Sequence, residues 1–383
     1  MLLYILLIAI SVFIYLSKGA DKPLTSKALG GYMLVLALFV GIADMLGGYD
    51  RYIYCQLFDD FASDLHKNDL VFSSSIYRLY GKEFGYIILN AIIALFTSNR
   101  YIFILIFTLI VYALVFYSML KYTNRSPMVI LLFMGLWFFF TFTYLRQVLA
   151  AATCWLAIDY VAQRKPLQFF AIVALAITIH NSAIVFTPLY FVPIKKFSPV
   201  TVILVMVACL AVGLTSLPAG LFEQYGEFTD MEKRVAGLED FSSMDVRFEY
   251  LLEAVLFLVI IFWRYSDVDE EDERMVTLTN MALIFCAILL VFVRSDNGGR
   301  MGWHYMMGLI ATLTNIANKE DRINYYNTGL AMLCAVLYLR IVVSWGVLLS
   351  PYKTFFSDGH REGDFIYEMY EYDERYDLDK MYR

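Results

Sequence analysis

Charge is scarce in this sequence. Lys, Arg, Asp and Glu make up 17% of its 383 residues, whereas apolar types account for 60%. A water-soluble chain of this size has more surface than so few polar side chains can cover. Cysteine is scarce too. The five residues Cys55, Cys154, Cys209, Cys286 and Cys334 are scattered, mostly through apolar runs. No Cys-x-x-Cys pair or His/Cys cluster has the spacing of a zinc site, so no metal and no disulfide framework is expected. Strong basic patches are missing as well. With a net charge of −6, nucleic acid is a poor candidate partner.

Apolar runs fill the space instead. Stretches near or beyond the ~18–20 residues that cross a bilayer recur along most of the chain. They fall near 2–17, 28–46, 84–97, 101–120, 127–143, 145–162, 168–192, 199–215, 247–263, 275–293, 301–317 and 325–349. The fold class read from them is all-α: a polytopic integral membrane helical bundle. It would have about 10–12 membrane segments, one or two of them re-entrant or broken. The first run has no basic leader and no clear small-residue cleavage site, so it reads as a membrane helix. Residues 1–350 are expected to form one transmembrane domain with long outer loops at 47–83 and 216–246. Residues 351–383 form an acidic, tyrosine-rich tail.

Short basic loops mark the cytoplasmic side. "SKGADKPLTSK" follows the first run, Lys121 and Arg125 mark a second such loop, and Arg164 and Lys165 a third. The amino terminus, 47–83, 216–246 and 294–300 then lie outside, and so does Arg146. This count requires the short 84–97 segment, which holds Asn90, to be re-entrant or interfacial. It also requires 168–192 to break at "TIHNSA" into two half-helices meeting at His180.

Several places carry candidate chemistry. In "TYLRQVLAAA" (143–152), Arg146 and Gln147 follow a run, 127–143, with no charge at all. Such an arginine is either a snorkelling group at a helix end or a guanidinium held inside a bundle. Positions 146, 150, 153 and 157 read Arg, Ala, Thr, Ala, a small-residue face that lets another helix approach. His180 is followed by Asn181 and Ser182, both suited to start a helix whose free N–H groups favour an anion. "RSDNGGRMGWHYMM" (294–307) sets a glycine turn between Arg294 and Arg300, with His304 one helical turn on, an arrangement suited to phosphate. Arg247 stands at the outer end of the span after the second long loop. Finally, "GGYDRYIYCQLFDD" (47–60) and "GKEFGY" (81–86) bring Asp50, Arg51, Tyr54 and Glu83 among aromatics. Carboxylates with aromatic faces suit sugar rings; tyrosine-rich loops also occur at membrane interfaces without catalysis.

Taken in order, "GGYDRYIYCQLF", "EFGY", "LRQVLAAA", "IHNSAIVFTPLYF", "GGRMGWHYM" and "SPYKTFF" resemble EpsG-type proteins, which are similar to Wzy-class bacterial polysaccharide polymerases. The likeness runs from about residue 40 to 356. Family members often carry an arginine just before the Gly-x-Asp turn. Here Ala43-Asp44-Met45-Leu46 stands in its place, with Arg51 as a substitute candidate. The resemblance implies a metal-independent membrane glycosyltransferase without cofactors, acting in capsule, exopolysaccharide or O-antigen synthesis. It would transfer a growing chain from undecaprenyl diphosphate to a sugar hydroxyl of an incoming lipid-linked repeat unit. The setting implied is multi-pass in the bacterial cytoplasmic (inner) membrane, with the site facing the periplasm. Partners would be the lipid-linked oligosaccharide, the bilayer, and a flippase and chain-length regulator of the same pathway. On that footing Arg146 and Arg300 bind the diphosphate, and His180, Asp50 or Glu83 acts as base. Gln147, Ser182, Tyr54, Arg51, Arg247, Arg294 and His304 bind substrate. Rival readings stay open: an O-antigen ligase or O-acetyltransferase, a flippase-like transporter, and a structural subunit of an envelope complex.

Overall fold

Polar residues that can cap helices punctuate the apolar runs, and the helices begin where they stand. In the computed structural model Thr25 accepts the Ala28 N–H at 3.1 Å and opens α2 (Ser26–Gly41), which follows α1 (Leu2–Lys18). Described are residues 1–19, 22–67, 74–218, 220, 245–295, 298–317, 324–357, 364–370 and 380. Most of the 216–246 linker, Asn297 of the glycine turn and most of the tail lie outside the described residues.

Among the described residues the chain is helical and has no strand, only an isolated bridge between Ala43 and Thr354. After α2 come α3 (Tyr49–His66), α4 (Ser75–Tyr80), α5 (Phe84–Ala94) and α6 (Arg100–Tyr122). Then follow α7 (Met128–Leu136), α8 (Phe140–Thr143), α9 (Leu145–Trp155), α10 (Ile158–Ala162), α11 (Pro166–Ile179) and a 3-10 segment, Asn181–Phe191. The chain continues with α12 (Pro199–Gly213), α13 (Phe248–Trp263), α14 (Glu273–Val291) and a second 3-10 segment, Gly298–Tyr305. It closes with α15 (Met306–Ala317), α16 (Tyr325–Ser344), α17 (Gly346–Leu349) and α18 (Phe365–Tyr370).

Among the described residues three helices, α6, α14 and α16, are long and apolar enough to cross a membrane, at 23, 19 and 20 residues. Several shorter apolar helices accompany them. Some expected segments divide. The run at 127–143 breaks at Trp137 between α7 and α8, and 145–162 breaks between α9 and α10. The run at 168–192 breaks at His180 as expected, but its second half is a 3-10 helix with Pro188 inside. Proline has no N–H to give an α-helical ladder. Residues 47–83, expected as a loop, hold α3 and α4 instead.

The chain forms two compact units: residues 1–153, 175–181 and 317–383, and residues 154–174 and 182–316. In the first, α2 packs on α6, α16 on α7, and α3 on α4, α5 and α6. Gly47 and Gly48 take φ of +107° and +123°, and a Cβ on Gly47 would sit 2.5 Å from Phe142 Cβ. Only glycine makes this turn without strain, and it delivers the first turn of α3 with Asp50 in it. Asp59, on α3, accepts from Arg100 Nε at 2.7 Å and so ties α3 to α6.

The first unit also holds a buried charge network that the sequence reading missed. Lys353 Nζ lies 2.6 Å from Asp364 and 3.4 Å from Asp44, and Lys380 also bonds Asp44. All four residues are at most 5% exposed. Two carboxylates and two ammonium groups neutralise one another and fasten parts of the tail to the residues just after α2. In the second unit, α14 packs against α10, α12, α13 and the 3-10 segment Gly298–Tyr305.

Candidate functional site

Arg146 sits in the first turn of α9 and is 4% exposed. It is held as a bundle-interior guanidinium, not as a snorkelling one. Its Nη1 bonds Glu83 Oε2 in a closed ion pair. The guanidinium stacks on Tyr80, with its carbon 3.7 Å from the ring centroid, and lies 5.5 and 5.6 Å from the rings of Tyr54 and Tyr86. Cation–π attraction of this kind is strongest when desolvated, as here. Arg146 Nε–H meets no acceptor among the described residues. The planar fork therefore keeps hydrogen-bonding capacity beyond its one carboxylate.

Glu83 occupies the turn between α4 and α5 and is 1% exposed. Its Oε2 takes Arg146, and its Oε1 accepts the Asn181 backbone N–H at 3.1 Å. The start of the 3-10 segment thus does hold an anion at its free N–H, and the anion is Glu83. Close packing sets this up: a Cβ on Gly85 would lie 2.2 Å from Thr178 Oγ1 and 3.1 Å from the Thr178 carbonyl carbon. Gly85→Ala is therefore expected to destabilise the protein by about 1–3 kcal/mol through overpacking. Adding Thr178→Ala should return part of that loss, because it removes the nearest atom. Thermal unfolding of the two variants in detergent checks this.

Asp50 is half-exposed, in the first turn of α3, and its charge acts on the Tyr54 hydroxyl. Burial pushes the Tyr54 hydroxyl up, with the Arg146 charge pulling the other way. His180 is half-exposed at the break after α11 and donates its own N–H to Ala176 O. Gln147 is buried next to Arg146. Arg51 is fully buried and donates to three carbonyls: Val40 and Ala43 at 2.9 Å each, Phe142 at 3.2 Å. Its cation thus ties carbonyls at and just past the end of α2 to one in α8.

The remaining sequence candidates fall in the second unit. Ser182 Oγ and His304 Nε2 are 2.9 Å apart, both buried, and Trp155 Nε1 donates to the His304 carbonyl at 2.9 Å. Tyr305 Oη donates to Val185 O at 2.7 Å. The Ser182 and Tyr305 bonds join the two 3-10 segments, and the Trp155 bond ties the end of α9 to the second of them. Ser182→Ala would leave the His304 ring with no side-chain partner among the described residues and is expected to cost about 1–3 kcal/mol, read as a lower unfolding midpoint. Arg294 donates to Leu214 O at 3.3 Å. The Arg247 and Arg300 charges both act on Tyr250, whose ring lies 2.7 Å from where a Gly299 Cβ would be. Arg247 and Arg300 thus form a cationic pair around Tyr250 within the second unit.

Tyr80, Tyr86 and Trp155 were not singled out from the sequence. The signal for the first two was present: a tyrosine three residues before and three after Glu83. A family model described as the EpsG family matches residues 31–354. No match was found among curated proteins or among solved structures.

Proposed function

The chain belongs to the EpsG family, a family that suggests a polysaccharide polymerase role, and from that premise we propose a lipid-linked mechanism. The protein is a polytopic bundle in the bacterial cytoplasmic membrane with its site toward the outside. Supporting this are the three helices of spanning length and the apolar side chains left exposed, such as Leu2, Phe13 and Leu16 on α1 and Val200, Ile203 and Leu204 on α12. Water disfavours such surfaces; lipid does not.

The donor is a saccharide chain on a polyprenyl diphosphate, and the acceptor is a sugar hydroxyl of an incoming lipid-linked repeat unit. The observation that carries this reading is the buried Arg146 guanidinium, paired with Glu83, ringed by Tyr54, Tyr80 and Tyr86, and with its Nε–H unpartnered among the described residues. The tyrosine rings stack on the C–H faces of sugars. Arg146 binds phosphate oxygens and stabilises the negative charge that develops as the diphosphate leaves. A base among His180, Asp50 and Glu83 takes the proton of the acceptor hydroxyl.

The test is the carrier-lipid profile of cells lacking this protein. Lipid diphosphate bearing a single repeat unit, accessible from outside, supports the proposal. Accumulation on the inner leaflet would instead assign transport, and long chains left on the carrier would assign ligation.

A further inference from the structure

The resting site holds its main cation and one candidate base in contact. Glu83 neutralises Arg146, and its other oxygen is taken by the Asn181 N–H. Both side chains are shut from water. Glu83 also stands in the N-cap position of α5, yet its side chain makes no capping bond there. A residue that leaves its own helix uncapped in order to bind an arginine elsewhere breaks a local rule, and such breaks gather at functional sites.

An anionic ligand arriving at Arg146 meets this carboxylate. Two anions on one guanidinium in a water-poor site repel strongly, so the carboxylate must move away or take up a proton. We propose that the Arg146–Glu83 pair is the resting latch of the site: a diphosphate donor takes Arg146 from Glu83, and the freed carboxylate is the base for the acceptor hydroxyl. This rests on the polymerase reading and selects Glu83 among its three candidate bases. In the reaction step, Glu83 accepts the hydroxyl proton while the acceptor oxygen bonds the donor anomeric carbon. The bond from that carbon to the diphosphate oxygen breaks, and its electron pair leaves with the diphosphate on Arg146. The proton then passes from Glu83 to water as product departs, and the latch re-forms. A base bound to its own electrostatic partner stays idle until donor is present, which suppresses wasteful activation of water.

Full-length protein in lipid nanodiscs tests this with inorganic diphosphate as the probe. Glu83→Gln removes the competing charge but keeps the shape, so it is expected to bind diphosphate at least about fivefold tighter, the low end of ordinary couplings between ligands. Its turnover should nevertheless fall about 10²–10⁴-fold, as for loss of a general base. A merely structural Glu83 would weaken binding instead. In the wild-type protein, labelling of Glu83 by a hydrophobic carbodiimide should rise several-fold when diphosphate is added. Equal or weaker diphosphate binding by Glu83→Gln overturns the latch, as does unchanged labelling at saturating diphosphate. If both shifts appear but the wild-type protein makes no polymer, the polymerase reading fails while the exchange of Arg146 between anions stands.

Discussion

Arg146→Ala is expected to lower polymer synthesis by about 10²–10³-fold, the usual loss when one preorganised group stabilising developing charge is removed. Arg146→Lys should be nearly as damaging. Lysine keeps the charge but lacks the flat fork that stacks 3.7 Å from Tyr80 and grips phosphate oxygens in pairs. Polymer quantified per amount of membrane-inserted protein gives the readout. The alanine variant also leaves Glu83 buried without its cation, and breaking such a pair costs about 3–5 kcal/mol. The double variant Arg146→Met with Glu83→Leu separates the two effects. Removing both charges should restore stability to about the wild-type level or above it, yet no polymer should form. A double variant that is stable and active would remove Arg146 from the mechanism.

The second large effect concerns stability alone. Asp44→Ala should destabilise the protein by about 3–5 kcal/mol, because it leaves Lys353 and Lys380 buried with Asp364 as their remaining carboxylate in this network. Burial alone would push the Lys353 ammonium down, but Asp44 and Asp364 outweigh it and hold its pKa above the ordinary lysine value. The sign follows from that direction. The contribution is complete below the unfolded pKa, so throughout the neutral range, and fades only as strongly alkaline solution titrates the folded group. Replacing Asp44 should therefore lower the unfolding midpoint at neutral pH. A midpoint unchanged in Asp44→Ala would mean that the four charges are not buried together.

Much of the helical frame was legible locally. Asn99 accepts from Tyr101 and Ile102, Ser198 from Thr201, Asp272 from Arg274 and Met275, and Asn324 from Asn327, each at a helix start. These caps precede apolar runs in the sequence, where such residues are expected. The break at His180 was legible because Asn181 and Ser182 compete with helix continuation. The break at Trp137 was not, since "LLFMGLWFFFTFT" holds no proline and only one glycine. Hydropathy sees a continuous apolar run whether or not the backbone turns within it.

The candidate site was legible in its residues but not in its pairing. Arg146 stood out because an ion in an oily run needs a partner, and a diphosphate was the expected one. The structure gives it Glu83, 63 residues away, brought in by the approach of Gly85 to Thr178. No periodicity encodes that distance. The same holds for Asp44 and Lys380, 336 residues apart. Sequence patterns report which side chains are costly to bury, whereas tertiary packing decides what neutralises them.

The most direct test uses purified protein in proteoliposomes, with polyprenyl-diphosphate-linked repeat units as the only other component. A ladder of lengthening saccharide chains and release of free polyprenyl diphosphate are expected, both abolished by Arg146→Ala. Repeat units that stay single with correctly folded wild-type protein would contradict the polymerase reading, and a ladder of equal extent from Arg146→Ala would contradict the role of Arg146.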